Sequence, residues 1–194
     1  MSPEQIAAFF LFALVAAITP GPSNVLLVAT GAQVGILRGL ACLLGIGAGM
    51  ASMMFLAAYG LGSLLLAHAQ ILIAARLIGT AFLLWLAWKI ASATPAPIEA
   101  AAKPTGFVGA ALLQWVNPKA WMVSAGAVAT YLPAEEGNAL LFTAIFAAAA
   151  LPSSFVWLAF GAAAQRLLHD ARRQRMFNIA MGLALAASVA MMWR

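Results

Sequence analysis

Apolar residues run along this chain in six long blocks, over about 5–28, 39–66, 70–91, 106–131, 138–164 and 175–193. Each block is about as long as an α-helix needs to cross the hydrocarbon of a bilayer. The pattern predicts an all-α membrane protein with six transmembrane helices. The second block exceeds one crossing, so it is expected to tilt or to end before Gly60-Leu61-Gly62. One real linker, 92–105, is rich in alanine and proline. It divides a single transmembrane domain, 1–194, into three-helix halves at 1–91 and 106–194. Three spans is an odd number, so the second half enters the membrane in the opposite sense, as an inverted repeat requires.

Two blocks are interrupted by polar, proline-bearing motifs, each in the first span of its half. The first reads Thr19-Pro20-Gly21-Pro22-Ser23-Asn24 and the second Gln114-Trp115-Val116-Asn117-Pro118-Lys119. Lipid leaves unpaired backbone groups unsatisfied, so such breaks persist only where protein or water supplies partners. Paired breaks in the two halves of a membrane protein point to a transport site. Pro20 and Pro22 lack the backbone donor a helix uses, which frees carbonyls near Ala16 to Ile18. Thr19, Ser23 and Asn24 are placed to satisfy those groups or to meet a ligand. A helix restarting at Pro22 or Ser23 aims its positive end at the break, which favours a carboxylate. A purely structural kink, repaired by Ser and Thr, is the competing reading.

Lys119 falls near the midplane of the fourth span, where a lysine costs about 2.5–3.5 kcal/mol. It needs a cavity or a partner, yet no Asp or Glu lies in any of the six blocks. Freed carbonyls or a substrate carboxylate remain as partners. Gln114 lies one turn before Pro118 and shares that face. The alternative is a shifted or re-entrant fourth segment that leaves Lys119 at an interface.

Composition agrees with the blocks. The chain of 194 residues is 65% hydrophobic and 8% charged, with mean hydropathy +1.00. A soluble domain is about 25% charged. The net charge of +5 sits in short loops, so it reports topology and not nucleic-acid binding. Arg38, Lys89, Lys103, Arg166, Arg172, Arg173 and Arg175 lie on one side, against Arg76 and Arg194 on the other. The odd loops are therefore expected in the cytoplasm and both termini outside. The start has no basic n-region, so the first block is expected to be a retained span. Trp88 beside Lys89 reads as an interfacial anchor, and Arg172-Arg173-Gln174-Arg175 as a topology determinant in contact with anionic lipid.

Other features read as structural. Cys42 is a lone, small packed residue. Gly45, Gly47 and Gly49 lie in an apolar span, so they suit close helix packing and not a dinucleotide. The same four-residue spacing, shared by Gly31, Gly35 and Gly39, also allows a homodimer. Pro152-Ser153-Ser154 is expected to kink the fifth span, with a place in the cavity wall as the lesser reading. His68 and His169 are far apart. No catalytic constellation, metal cluster or phosphate-binding loop is present, so neither an enzyme nor a cofactor is expected.

The two motifs together resemble the LysE/RhtB family of amino-acid exporters. The resemblance includes Thr19-Pro20-Gly21-Pro22, the glycine-spaced stretch Gly35 to Gly49 and the third-span run Leu77 to Trp88. It continues through Gly106-Phe107 and Asn117-Pro118-Lys119-Ala120. It implies efflux of small amino acids or related metabolites across the bacterial inner membrane, driven by an ion or membrane-potential gradient. Carried onto this chain, it marks Thr19, Pro20, Gly21, Pro22, Asn117, Pro118 and Lys119. Ser23 departs from it, since many relatives carry Asp or Asn there. The residues themselves add Ser23, Asn24 and Gln114 as substrate-binding candidates. Two other classes compete: a non-transporting membrane scaffold, which shows no flux, and a passive channel, which shows no trans-stimulation.

Overall fold

The computed structural model describes residues 1–61, 68–93, 105–132, 138–165, 168 and 170–191. All regular structure among them is helical. The elements are α1 (Pro3–Ile18), α2 (Pro22–Leu56) with a π turn at Ala57–Leu61, α3 (Ala69–Ala91), α4 (Phe107–Val116), α5 (Pro118–Tyr131), α6 (Ala139–Gln165) and α7 (Ala171–Met191). Ser2 opens α1 with a capping box, its hydroxyl accepting from Gln5 N while Gln5 Oε1 accepts from Ser2 N. Lys103, Glu135, Glu136, Arg166, His169, Arg194 and Gly62 lie outside the described residues.

The helical path of α2 is not straight. Gly35 has φ 74° and ψ −175°, a region open essentially to glycine alone. In a straight helix Thr30 and Cys42 would be about 18 Å apart. Here the Thr30 hydroxyl lies 3.7 Å from Cys42 Sγ, so the chain doubles back at Gly35. The sequence suggested a loop around 29–38; the structure replaces it with this single-residue reversal. Leu37 and Arg38 stand exposed just after it, already helical. The second arm ends at the π turn, where Gly60 takes φ 125°, near the end expected from Gly60-Leu61-Gly62.

Glycines let the helices approach to backbone contact. A Cβ at Gly31 would overlap the Leu158 carbonyl, and one at Gly161 the Val28 carbonyl, where α2 crosses α6. A Cβ at Gly45 would overlap the Phe107 carbonyl, and one at Gly49 would lie 2.6 Å from the Ala111 carbonyl, where α2 meets α4. The packing reading of Gly45 and Gly49 therefore holds, and these faces are used inside the chain. Further helix pairs are α1 with α6 and α3 with α7. Pro152 sits inside α6, whose helix continues from Ala139 to Gln165 across it.

Two apolar cores form. One gathers Val25, Leu27, Cys42, Ile46, Leu113 and Leu158 with Leu83 and Leu185. The other gathers Phe9, Ala13, Met54, Ala127, Phe142 and Phe146. In the second, Phe9 and Phe142 stack with centroids 3.9 Å apart and planes 4° apart, and Tyr131 closes on both Phe9 and Phe12. Large apolar side chains also cover the outside, among them Leu11, Ile78, Val108, Leu140, Phe160 and Leu183. Apolar surface on this scale is what lipid, and not water, accommodates. The helix Ala139–Ala164 is long and apolar enough to cross a membrane, and the hairpin Pro22–Gly60 is equally apolar. Lys89 lies 5.0 Å above the Trp85 ring, beside the exposed Trp88.

Candidate functional site

The two motifs leave helical geometry and meet each other. Helix α1 ends at Ile18, and α2 restarts with Gly21 as its N-cap and Pro22 in its first turn. Helix α4 ends at Val116, and α5 restarts at Pro118. Asn117 alone separates them, serving as the C-cap of one helix and the N-cap of the next. Proline suits both restarts because the first helical N–H needs no helical partner. The sequence rule that breaks a helix at these prolines is the same rule that starts the next one.

The second break is closed by its own residues. Pro118 has no N–H to give the Gln114 carbonyl, and Asn117 N takes that place at 3.1 Å. The Trp121 indole donates to the Trp115 carbonyl at 2.7 Å. Asn117 Oδ1 accepts from Lys119 N at 3.1 Å. Gly79 of α3 packs against the Val116 carbonyl and Pro118, where any Cβ would collide.

The first break is closed by side chains from both motifs. Thr19 N and the Thr19 hydroxyl both donate to the Val15 carbonyl, at 3.0 and 2.6 Å. The Asn24 amide donates to the carbonyls of Ala17 and Thr19, each at 3.0 Å. Lys119 reaches across 100 positions of sequence to donate Nζ to the Thr19 carbonyl at 2.6 Å. Pro20 and Pro22 leave the carbonyls of Ala16 and Ile18 without their helical donors.

A polar link joins the breaks. The Ser23 hydroxyl donates to Gln114 Oε1 at 3.0 Å, and Asn117 Nδ2 donates to Ser23 Oγ at 3.3 Å. Gln114, Asn117 and Asn24 are buried. Gly21 has extended backbone, φ −169°, so its role is space: a Cβ there would lie 2.9 Å from Lys119 Cδ.

These groups face one shared, partly open cleft. Of the ten candidates, Gly21, Ser23, Asn24, Gln114, Asn117 and Lys119 line it. Thr19, Pro20, Pro22 and Pro118 do not; they shape the backbone that presents the others. The remaining wall comes from the end of α1, through Ala16 and Ala17, from the second arm of α2, through Ile46, Gly47, Met50 and Ala51, from α5, through Ala120 and Val123, and from α6, through Phe146, Ala147, Ala150, Leu151 and Ser154. Sequence reasoning did not mark these side chains, because an apolar residue in an apolar span carries no sign of facing a cavity. Ser154 is the exception: the Pro152-Ser153-Ser154 motif had a place in the cavity wall as its lesser reading, and of the three, Ser154 lines the cleft. The cleft lies between the two apolar cores, with Phe9 and Ala13 on one side of it along the chain and Val25 and Leu27 on the other. Among the described residues no three His, Cys, Asp or Glu side chains gather as a metal site would need.

Comparison with known proteins places the sequence in a family. The pattern of the LysE type translocator family matches residues 14–192. A cysteine/O-acetylserine efflux protein of Klebsiella pneumoniae subsp. pneumoniae is 32% identical over 190 residues, covering 96% of this chain and 97% of that protein. The protein of the same description from Salmonella choleraesuis is 34% identical over 132 residues, 68% of each chain. That from Escherichia coli K12 is 29% identical over 188 residues, 95% of each. No solved structure matches.

Proposed function

This chain belongs to the LysE type translocator family, and from that premise we propose that it is a secondary exporter of small amino acids and related metabolites. The substrate enters the cleft between the two breaks and leaves on the other side of the inner membrane, driven by an ion or membrane-potential gradient. The relatives described as cysteine/O-acetylserine efflux proteins support substrates of that size. The observation that carries the reading is Lys119. A cation from one motif sits in the wall of a cleft, on a carbonyl freed by the other motif.

We read six spans in these helices: 3–34 interrupted at 19–21, then 36–61, α3, 107–131 interrupted at Asn117, α6 and α7. Residues 1–91 and 106–194 form the two halves. Exchanging the halves maps the first span on the fourth, the second arm of α2 on α6, and α3 on α7. The packing of α1 on α6 then corresponds to that of α4 on α2, and α3 with α7 maps onto itself, which supports an inverted repeat. Rocking of one half against the other opens the cleft to each side in turn.

The substrate carboxylate is held by Lys119 and the positive start of α2 at Ser23, with Asn117 and Gln114 as hydrogen-bonding neighbours. Lys119→Ala and Asn117→Ala should each reduce export to background with normal membrane insertion. The check is efflux from exporter-deficient cells loaded with amino acids as dipeptides, at matched protein level. Undiminished export by both variants would sink the site, and absence of flux from the wild type would favour a scaffold.

A further inference from the structure

The reading above gives the substrate carboxylate a cation but leaves its ammonium without a partner. Among the described residues the acidic side chains are Glu4 and Asp170, and neither lines the cleft. We propose that the carboxyl end of α1 is the ammonium subsite, and that a zwitterion binds by inserting between Lys119 and the Thr19 carbonyl.

Three observations support this. First, the protein already seats an ammonium there, since Lys119 Nζ lies 2.6 Å from Thr19 O. Second, the end of a helix carries partial negative charge, and α1 ends at the cleft, where Ala16 and Ala17 form part of the wall. Third, Pro20 cannot donate to the Ala16 carbonyl, which leaves an acceptor in that wall besides Thr19 O. Asn24 holds the strand between the helices by bonding Ala17 O and Thr19 O, so these acceptors are fixed before a ligand arrives. When a carboxylate draws Lys119 away, Thr19 O loses one donor, and the ligand's own ammonium replaces it. Every polar group that was paired before binding is paired after it.

Apart from Lys119 the described lining, which includes Met50, Leu151 and Ser154, carries no charge to meet the substrate's third substituent. The site therefore takes neutral α-amino acids. It rejects hydroxy acids, which lack the ammonium, amines, which lack the carboxylate, and basic amino acids, whose second cation finds no anion.

This inference rests on the exporter reading, and counterflow into proteoliposomes of the purified full chain separates the two. Vesicles preloaded with cysteine or O-acetylserine are offered labelled cysteine, with 3-mercaptolactate, cysteamine or lysine as competitors. Cysteine should exchange, and each competitor should be at least about tenfold weaker than unlabelled cysteine. Ser154→Asp should raise competition by lysine at least about tenfold while 3-mercaptolactate stays weak. Equal competition by 3-mercaptolactate overturns the ammonium subsite. Equal competition by lysine in the wild type overturns the charge selection. If neither cysteine nor O-acetylserine exchanges in correctly inserted protein, the exporter reading itself falls, and the subsite with it.

Discussion

At the scale of single residues, the same substitution should have opposite consequences at two glycines. At Gly21 an added methyl meets the flexible end of Lys119, 2.9 Å from Cδ and 3.0 Å from Nζ. The lysine must leave the Thr19 carbonyl, while the backbone can stay. Gly21→Ala should therefore insert at near wild-type level but export at least about tenfold less, a loss of roughly 1.4 kcal/mol of binding. At Gly79 the added methyl meets the Val116 carbonyl and the Pro118 ring, which cannot move aside. Gly79→Ala should lower the amount of folded protein itself, read by size-exclusion of the detergent extract. Equal behaviour of the two variants in both assays would contradict the geometry. The sequence exposed Lys119 because a midspan lysine is conspicuous against lipid. It could not expose Gly79, which looks like any small residue until its neighbour is known, nor the division of the first motif into cleft-lining Gly21, Ser23 and Asn24 and backbone-shaping Thr19, Pro20 and Pro22.

At the scale of elements, Pro22 and Pro118 were readable because each sits with polar neighbours where one helix ends and the next begins, whereas Pro152 lies inside a helix that continues past it. Asn117-Pro118-Lys119 spells a cap, a first turn and a cleft-facing cation in three letters. The reversal at Gly35 was harder to read. Gly31, Gly35 and Gly39 share one spacing, and only the structure separates their duties: the outer two admit α6, and the middle one turns the chain. Gly35→Ala forces a side chain into that backbone conformation at a cost of about 1–3 kcal/mol. Its thermal midpoint in detergent should fall clearly below that of the wild type. Gly126→Ala is the control, because that glycine has ordinary helical backbone in α5 and its methyl would meet nothing within 4 Å. A Gly35→Ala midpoint equal to the wild type would show that the hairpin bends elsewhere.

At the scale of the whole molecule, the all-helical character was legible because long apolar blocks in lipid must satisfy their own backbone groups. The partner of each helix was not, since partners are chosen by shape within surfaces of one chemistry. Orientation rests on the distribution of Lys and Arg and can be read directly. Cys42 is buried and should give little background with a membrane-impermeant maleimide. Leu37→Cys, at an 85% exposed position, should label in inverted vesicles and not in right-side-out ones. Ser2→Cys should do the reverse. The opposite pattern would invert the assignment of the termini. The layering along the bundle has one more consequence. With an apolar core on either side of the cleft along the helices, a leak across the whole molecule must pass two packed layers in series. Loosening one seal leaves the other holding. Phe142→Leu removes the stack on Phe9, worth about 0.5–1.5 kcal/mol. Vesicles carrying it should keep an imposed pH gradient as long as wild-type vesicles do, because insulation against leak is shared between two barriers that no single side chain spans.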